Sequence, residues 1–310
     1  MHLLTATKSL GNIPISSKTR IHQDTGQLVS FYFTGTVDRR FGSCYTFLMR
    51  NTEKFMTKEG IAKHLERDIA LNIFDSIDST NNYAKELAAD GTEHGTTVIA
   101  LQQTGGRGHL GRSFHAPEGT GIYMSIILKA EADFSRALPV TTAASVAVSR
   151  AISKVCGKEP EIKWVNDIYL NSKKVCGILA EAVTDPATGL PEAIVVGIGI
   201  NCSTEGFPEE LLEIAGAVEG DYDPQQLTAQ VINELLELAD GLDPADFISE
   251  YRNRSMVIGK TVKVYKGGYS PDKTGISARV LDIDDNGRLK VIYSSGERET
   301  LSSGEISIRI

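Results

Sequence analysis

Seven consecutive residues, Gly106-Arg107-Gly108-His109-Leu110-Gly111-Arg112, combine three glycines with two arginines. Glycines let a turn of backbone N–H groups come close to an anion, and the arginines bring fixed positive charge to the same place. A loop of this kind suits a phosphate or a carboxylate. Further along comes Lys163-Trp164-Val165-Asn166-Asp167, a lysine in a polar cluster beside an expected strand. With Trp164, Val165 and Ile168 as neighbours that should be buried, Lys163 either snorkels to solvent or points into a site where an anion meets it. Asn166-Asp167 taken alone fits a turn. Gly197-Ile198-Gly199-Ile200-Asn201 reads as a strand weakened by two glycines, which means either a bulge or close approach by a ligand or another backbone. Ser79, Thr80 and Asn81 are strong N-cap types ahead of a helical stretch at 83–89, and can also hydrogen-bond a polar ligand head.

Several familiar chemistries are excluded. Gly106-x-Gly108-x-x-Gly111 formally matches a dinucleotide fingerprint, but that reading needs a helix to open inside the glycine run. Here Ser113-Phe114-His115-Ala116-Pro117 follows, which starts no helix. No Gly-Lys-Ser/Thr closes a P-loop, and the chain has neither an HExxH, nor a zinc-like cysteine–histidine spacing, nor a GxSxG elbow. The histidines are scattered, and only His109 falls within a motif.

The elements that must position these residues are readable from periodicity. Residues 58–65 read as a short helix and 71–75 as a strand, and 96–101 and 122–128 are further strands. Residues 140–155, alanine-rich and periodic, make the best long helix. Residues 161–164, 168–170, 175–182 and 193–200 look like consecutive strands, with Asn171-Ser172-Lys173-Lys174 as a polar hairpin turn between two of them. Residues 225–240 are amphipathic, and 247–254 continue helically. From 257 onward the texture becomes short strands (261–264, 277–283, 289–293, 298–301, 306–310) with turns such as Asp285-Asn286-Gly287, the signature of a small β-barrel. The expected division is an N-terminal extension over 1–55, poorly ordered or loosely attached, a catalytic domain over 56–255 and the barrel over 256–310. Met56 is expected to be the natural start, with the preceding residues an upstream extension.

At 41% hydrophobic and 23% charged, the 310-residue chain has the balance of an ordinary globular protein able to bury a full core. Its net charge of −8 argues against broad, sequence-independent nucleic-acid binding. The charge is uneven, +4 over residues 1–55 and −12 over the rest. The four cysteines (Cys44, Cys156, Cys176, Cys202) form no CxxC and read as buried structural thiols in a reducing compartment. No apolar stretch is long enough to span a membrane, and no secretory signal opens the chain, so the cytoplasm is the expected location.

Taken together and in this order, five blocks resemble those of biotin–protein ligases. They are Asp78-Ser79-Thr80-Asn81, the Gly106–Arg112 loop, Lys163–Asp167, Lys174-Val175-Cys176-Gly177-Ile178-Leu179 and Gly197–Asn201. The resemblance covers about residues 70–310 and implies an α+β fold: a mixed sheet with flanking helices, like that of class II aminoacyl-tRNA synthetases, followed by an SH3-like barrel. It implies a two-step reaction in which biotin and Mg-ATP give biotinoyl-5′-AMP and pyrophosphate, and the biotinoyl group then passes to a lysine of a carboxylase's biotin carboxyl carrier domain.

By the same resemblance, Ser79, Thr80, Asn81, Gln103 and Gly177 would belong to the biotin side. Arg107, Gly108 and His109 would lie over the biotin carboxylate and the adenylate phosphate. Lys163 would sit beside the reacting carboxylate and α-phosphate, making it and Arg107 the catalytic candidates. Gly111, Arg112, Asn166 and Asn201 would line the ATP side. Magnesium is implied with ATP, while its ligands and the choice between monomer and homodimer are left open. His109 stands where many members have arginine, Val165 where proline is usual, and Cys176 where a small residue is usual. Some relatives carry an N-terminal winged helix and repress transcription. Residues 1–55 show no helix-turn-helix pattern, so no DNA binding is expected. A lipoate or other acyl-acid ligase, and a module that keeps the adenylate without transferring it, are the rival readings.

Overall fold

A computed structural model describes residues 14–22, 28–36, 55–108, 114–129, 137–241, 243–265, 274–302 and 305–308. The chain divides into two compact units, residues 1–55 and 56–310. In the first, strands β1 (Pro14–His22) and β2 (Leu28–Thr36) pair antiparallel, with Pro14 opposite Thr36 and His22 opposite Leu28.

The second unit opens with a short helix, α1 (Lys58–Ala62), capped by the Thr57 hydroxyl, which accepts from the Gly60 N–H. The elements that follow are β3 (Leu71–Phe74), α2 (Thr80–Ala89), β4 (Thr97–Ala100), β5 (Gly121–Lys129) and α3 (Ala137–Cys156). Then come β6 (Glu161–Lys163), β7 (Asp167–Leu170), β8 (Lys173–Thr184) and β9 (Pro191–Asn201). These strands build one seven-stranded sheet in the order β3-β4-β5-β9-β8-β7-β6, antiparallel except for the β3–β4 pair.

Helices cover both faces. On one, Ala84 and Ala88 of α2 pack against Val98, Ile127 and Val195. On the other lie α3 and α5 (Pro224–Gly241), with the small α4 (Glu209–Leu212) preceding α5. Ala143, Ala144, Ala147 and Ala151 make α3 slim, which lets it lie close to the sheet and to the Leu227, Val231 and Leu235 stripe of α5. With helices on both sides, central strand β5 is buried at every position but its last. The short α6 (Ile248–Asn253) leads out of this layer.

The C-terminal strands β10 (Thr261–Tyr265), β11 (Ile276–Ile283), β12 (Leu289–Tyr293), β13 (Arg298–Leu301) and β14 (Glu305–Ile308) form a five-stranded antiparallel sheet in the order β13-β12-β11-β10-β14. Its buried residues alternate along the strands, as in Val262 and Val264 or Leu289 and Val291, which is the period of a sheet with one apolar face.

Several contacts join this sheet and the segment leading into it to the catalytic layer, among them Arg252 of α6, which donates to Ile283 O at 2.6 Å. Edge strand β6 is stitched to the connecting segment, with the Ile162 N–H donating to Arg254 O at 2.7 Å and the Met256 N–H donating to Ile162 O at 3.0 Å. The buried Trp164 indole donates to Gly287 O at 2.9 Å, in the tight turn between β11 and β12. Trp164→Phe keeps the ring but orphans that carbonyl, and is expected to cost about 1–3 kcal/mol in denaturant unfolding. An unchanged midpoint would show that water replaces the bond freely.

No helix among the described residues is long and apolar enough to cross a membrane. Cys156, Cys176 and Cys202 are free thiols, and Cys44 lies outside the described residues. Only Cys176 is fully buried, which pushes its thiol well above the usual range, while Cys156 and Cys202 are half-buried rather than enclosed.

Candidate active site

Residues paired across a sheet share a face, so the strand register shows which side chains meet. Tyr123 lies opposite Gly199, Gly199 opposite Gly177, Gly177 opposite Asp167, and Asp167 opposite Lys163. This row crosses five strands on the face that carries α2. One step along, Ser125, Gly197 and Leu179 form a parallel row. The three glycines clear a floor, and the polar and charged residues stand around it.

Neither strand glycine marks a bulge. A Cβ at Gly197 would sit 2.2 Å from Asn81 Oδ1, and one at Gly199 would sit 2.6 Å from the Phe114 ring. Each glycine is required because a side chain from another element occupies the space above it.

The start of α2 forms one wall, where Ser79, Thr80 and Asn81 are each at most 4% exposed. Ser79 has the extended backbone of an N-cap, yet its hydroxyl makes no capping bond, contrary to the cap expected from its residue type. That bond comes instead from a distant loop. Gln103 Oε1 accepts from the Thr80 N–H at 2.8 Å and from the Thr80 hydroxyl at 3.1 Å. The arrangement leaves Ser79 facing the pocket it lines, and it fixes the Gln103 amide with its oxygen toward the helix.

The glycine-rich loop is pinched at its base, where the Phe114 N–H donates to Gly106 O at 2.9 Å. A Cβ on Gly106 would lie 2.7 Å from Phe114 O, so the neck closes only around a residue without a side chain. Arg107 and Gly108 line the pocket from this neck. His109, Gly111 and Arg112 lie outside the described residues. Below the loop, Phe114 meets Tyr123 edge to face with centroids 6.2 Å apart. Burial pushes the Tyr123 hydroxyl up to about 12, so it stays protonated and donates to Pro117 O.

The third wall comes from β6, β7 and their connection. Lys163 lines the pocket with its Nζ 5.8 Å from the centre of the Tyr169 ring. Asn166 also lines it, but its amide donates to Ile178 O at 2.6 Å, pinning the connection to β8. Tyr251 and Ser145 both donate to Val165 O and hold the same turn from behind. Asn201 stands outside the pocket lining, its amide donating to Gly216 O at 2.9 Å.

Lys174 is a residue that the sequence reading missed. Its Nζ lies 2.5 Å from Asp167 Oδ1 and beside Gly177 in the pocket. In the sequence it closes a polar turn. In the structure Asn171 and Ser172 alone make that turn, both with positive φ, and β8 begins at Lys173. The register then slips: Tyr169 faces Lys174, but Ile168 faces Cys176, leaving Val175 as the extra residue. Without that bulge, Lys174 would lie opposite Leu170 and project to the far side of the sheet. With it, Lys174 shares the face of Asp167 and Tyr169. The Lys174–Leu179 block carries the available signal, which a turn reading of Asn171–Lys174 obscures.

Three cations, Arg107, Lys163 and Lys174, therefore line one pocket, and Asp167 is the single carboxylate lining it among the described residues. Ile306 of β14 completes the lining from the C-terminal sheet. Among the described residues, no group of three or more His, Cys, Asp or Glu could hold a metal ion.

Comparison with known proteins agrees with this architecture. Residues 73–201 match the biotin/lipoate A/B protein ligase family, and residues 257–309 match the biotin protein ligase C-terminal domain. The chain is 31% identical over 231 residues to the bifunctional ligase/repressor BirA of Bacillus subtilis, covering 71% of each chain. It is 30% identical over 250 residues to the biotin–[acetyl-CoA-carboxylase] ligase of Mycobacterium tuberculosis, covering 76% of this chain and 88% of that one. The biotin protein ligase of Aquifex aeolicus, solved in complex with biotin and ATP, superposes with a TM-score of 0.62 at 26% identity, over 77% of this chain and 98% of that one.

Proposed function

This chain belongs to the biotin protein ligase family and is an ATP-dependent biotin ligase; from that premise we propose how its own residues divide the work. The observation that carries the proposal is the gathering of Arg107, Lys163 and Lys174 over a glycine floor, next to a wall of neutral hydrogen-bonding groups. The neutral wall suits a ureido ring, which offers two N–H donors and one carbonyl acceptor. The cationic part suits a place where acids react.

In the first step a biotin carboxylate oxygen forms a bond to the α-phosphorus of ATP, and the bond to the β-phosphate oxygen breaks to release pyrophosphate. Two anions must approach each other, and fixed cations offset that repulsion without reorganising. Lys163 and Lys174 approach from the β6–β8 side and Arg107 from the loop neck, so the reacting centre lies between them. In the second step the amine of a target lysine attacks the acyl carbon, AMP leaves, and a proton is lost from the amine. The acceptor is the biotin carboxyl carrier domain of a carboxylase.

Magnesium would enter with the ATP phosphates, which supply most of its oxygen ligands. Asp167 is the available protein carboxylate, but it is engaged by Lys174 and fits a role in orienting that lysine better than one in holding a metal. We further propose that the chain acts without binding DNA, in keeping with its acidic net charge.

The test supplies labelled biotin, ATP and a biotin carboxyl carrier domain. Label transferred to one carrier lysine is the expected result. Transfer of lipoate but not biotin would overturn the choice of acid, and label kept on the protein without transfer would overturn the second step.

A further inference from the structure

Behind the neutral wall runs a chain of hydrogen bonds that ends in an ion pair outside the pocket. Lys85 of α2 donates to Glu181 Oε1 of β8 at 2.8 Å. The other carboxylate oxygen, Oε2, accepts from Asn81 Nδ2 at 2.8 Å, and Leu179 O accepts from the same nitrogen at 3.4 Å. On the opposite side of that amide, the Ser125 hydroxyl lies 2.5 Å from Asn81 Oδ1 and 2.8 Å from Thr80 Oγ1. Thr80 in turn meets Gln103 Oε1.

The direction of each bond follows from counting protons. A carboxylate and a carbonyl only accept, so Glu181 and Leu179 O together require the NH₂ side of Asn81 to face them. Its oxygen then faces Ser125, which must donate its single proton there. With that proton used, Ser125 can only accept from Thr80. The single Thr80 hydroxyl proton is shared between Ser125 and Gln103 Oε1, whose second lone pair receives the Thr80 N–H, and either way the Thr80 oxygen is left as an acceptor. Were the Asn81 amide flipped, its NH₂ would donate to Ser125, and the Ser125 proton would turn to Thr80 and occupy one of its lone pairs.

From this network we infer that Glu181 is a positioning residue for biotin recognition: acting through Asn81, it keeps the Ser125 proton off Thr80 and leaves the Thr80 oxygen open to accept at the ligand. The matching ligand group is an N–H, which a ureido ring has and a dithiolane lacks. Burial raises the Glu181 carboxyl, but the hydrogen bonds from Lys85 and Asn81 and the charges of Lys85 and Arg107 outweigh it and hold it below the usual range. It therefore stays ionised and accepts only. Ser125 is fully buried, so no solvent path can substitute for its link in the chain.

The inference rests on assigning biotin to this pocket, and its test separates the two. In the full-length protein with biotin, ATP and carrier domain, Glu181→Ala is expected to raise the KM for biotin about tenfold. The KM for ATP is expected to stay within about twofold, because no hydrogen bond of the relay involves Arg107, Lys163 or Lys174 and Glu181 meets Arg107 only through its charge. Ser125→Ala cuts the relay one link nearer the ligand and should give the same biotin-specific rise. The double variant should add little to either single one, since one pathway can be cut only once. Unchanged biotin KM, parallel rises for biotin and ATP, or fully additive losses would each overturn the role of Glu181. If Glu181→Ala does not fold, the Ser125→Ala comparison decides by itself. Wild-type protein that labels nothing with biotin would instead overturn the assignment of the pocket.

Discussion

Alanine at Lys163 or Lys174 is expected to slow biotin-dependent ATP–pyrophosphate exchange by about 10²–10³-fold, the usual effect of removing one group that stabilises transition-state charge. Both variants should fold. Lys163 lies at the end of an edge strand, and Lys174 is a third exposed, so neither substitution opens a cavity in the core. The two losses should differ in origin. Lys163 is held by its place beside the Tyr169 ring, and its removal subtracts one positive charge from the reacting centre. Removing Lys174 also releases Asp167, whose negative charge would then face the incoming acids. The Lys174 variant is therefore expected to be the worse of the two. Asp167→Asn in the Lys174→Ala background should recover part of the rate. Normal exchange in both single variants, with unchanged melting, would show that the cationic cluster does not drive adenylation.

Gly197→Ala is expected to damage biotin use more than its single methyl suggests. The new Cβ would fall 2.2 Å from Asn81 Oδ1, and Asn81 has nowhere easy to go. Its amide is tied to Glu181 on one side and to Ser125 on the other. Overpacking of this kind costs about 1–3 kcal/mol, so the KM for biotin should rise about 5- to 150-fold. Gly199→Ala makes the useful contrast. Its Cβ meets the Phe114 ring at 2.6 Å, and Phe114 sits where the glycine-rich loop returns, so the ring can swing aside more cheaply. A smaller effect on biotin KM is expected there. Equal effects at the two positions would mean that the floor tolerates neither methyl and that the Asn81 network is not special.

Much of this architecture is legible in the sequence. The alternation of residues 289–293 and 298–301 marks strands that the structure places at the same bounds, Leu289–Tyr293 and Arg298–Leu301. The alanine-rich periodic run at 140–155 falls inside α3. Asn171 at the β7–β8 turn signals a tight hairpin because positive φ costs asparagine less than most residues. Helix α1 stops at Ala62, short of the expected 65, and α2 starts at Thr80, ahead of the expected 83. End positions of this kind depend on distant partners. Gln103 supplies the bond that lets α2 begin at Thr80, and Gln103 lies more than twenty residues away in sequence.

The candidate site was legible by residue type but not by direction. Ser79, Thr80, Gln103, Arg107 and Lys163 were singled out, and all five line the pocket. Asn81 and Asn166 do so too, yet their amides are spent largely on the protein itself. Lys174 escaped notice because its role comes from pairing across strands, and Glu181 because its partners Lys85 and Asn81 lie on helix α2; no local pattern encodes either contact.

The slip at Val175 carries a consequence for how this region can change over evolutionary time. Strand faces are binary, so pairing Val175 back into the ladder cannot move Lys174 by a small amount. It would send the ammonium through to the side covered by α3 and α5 and leave the acids unneutralised. Length variation in this hairpin is therefore constrained by place: loss of Val175 itself keeps Lys174 opposite Tyr169, whereas one residue added to the two-residue turn would let the ladder close with Lys174 on the wrong side.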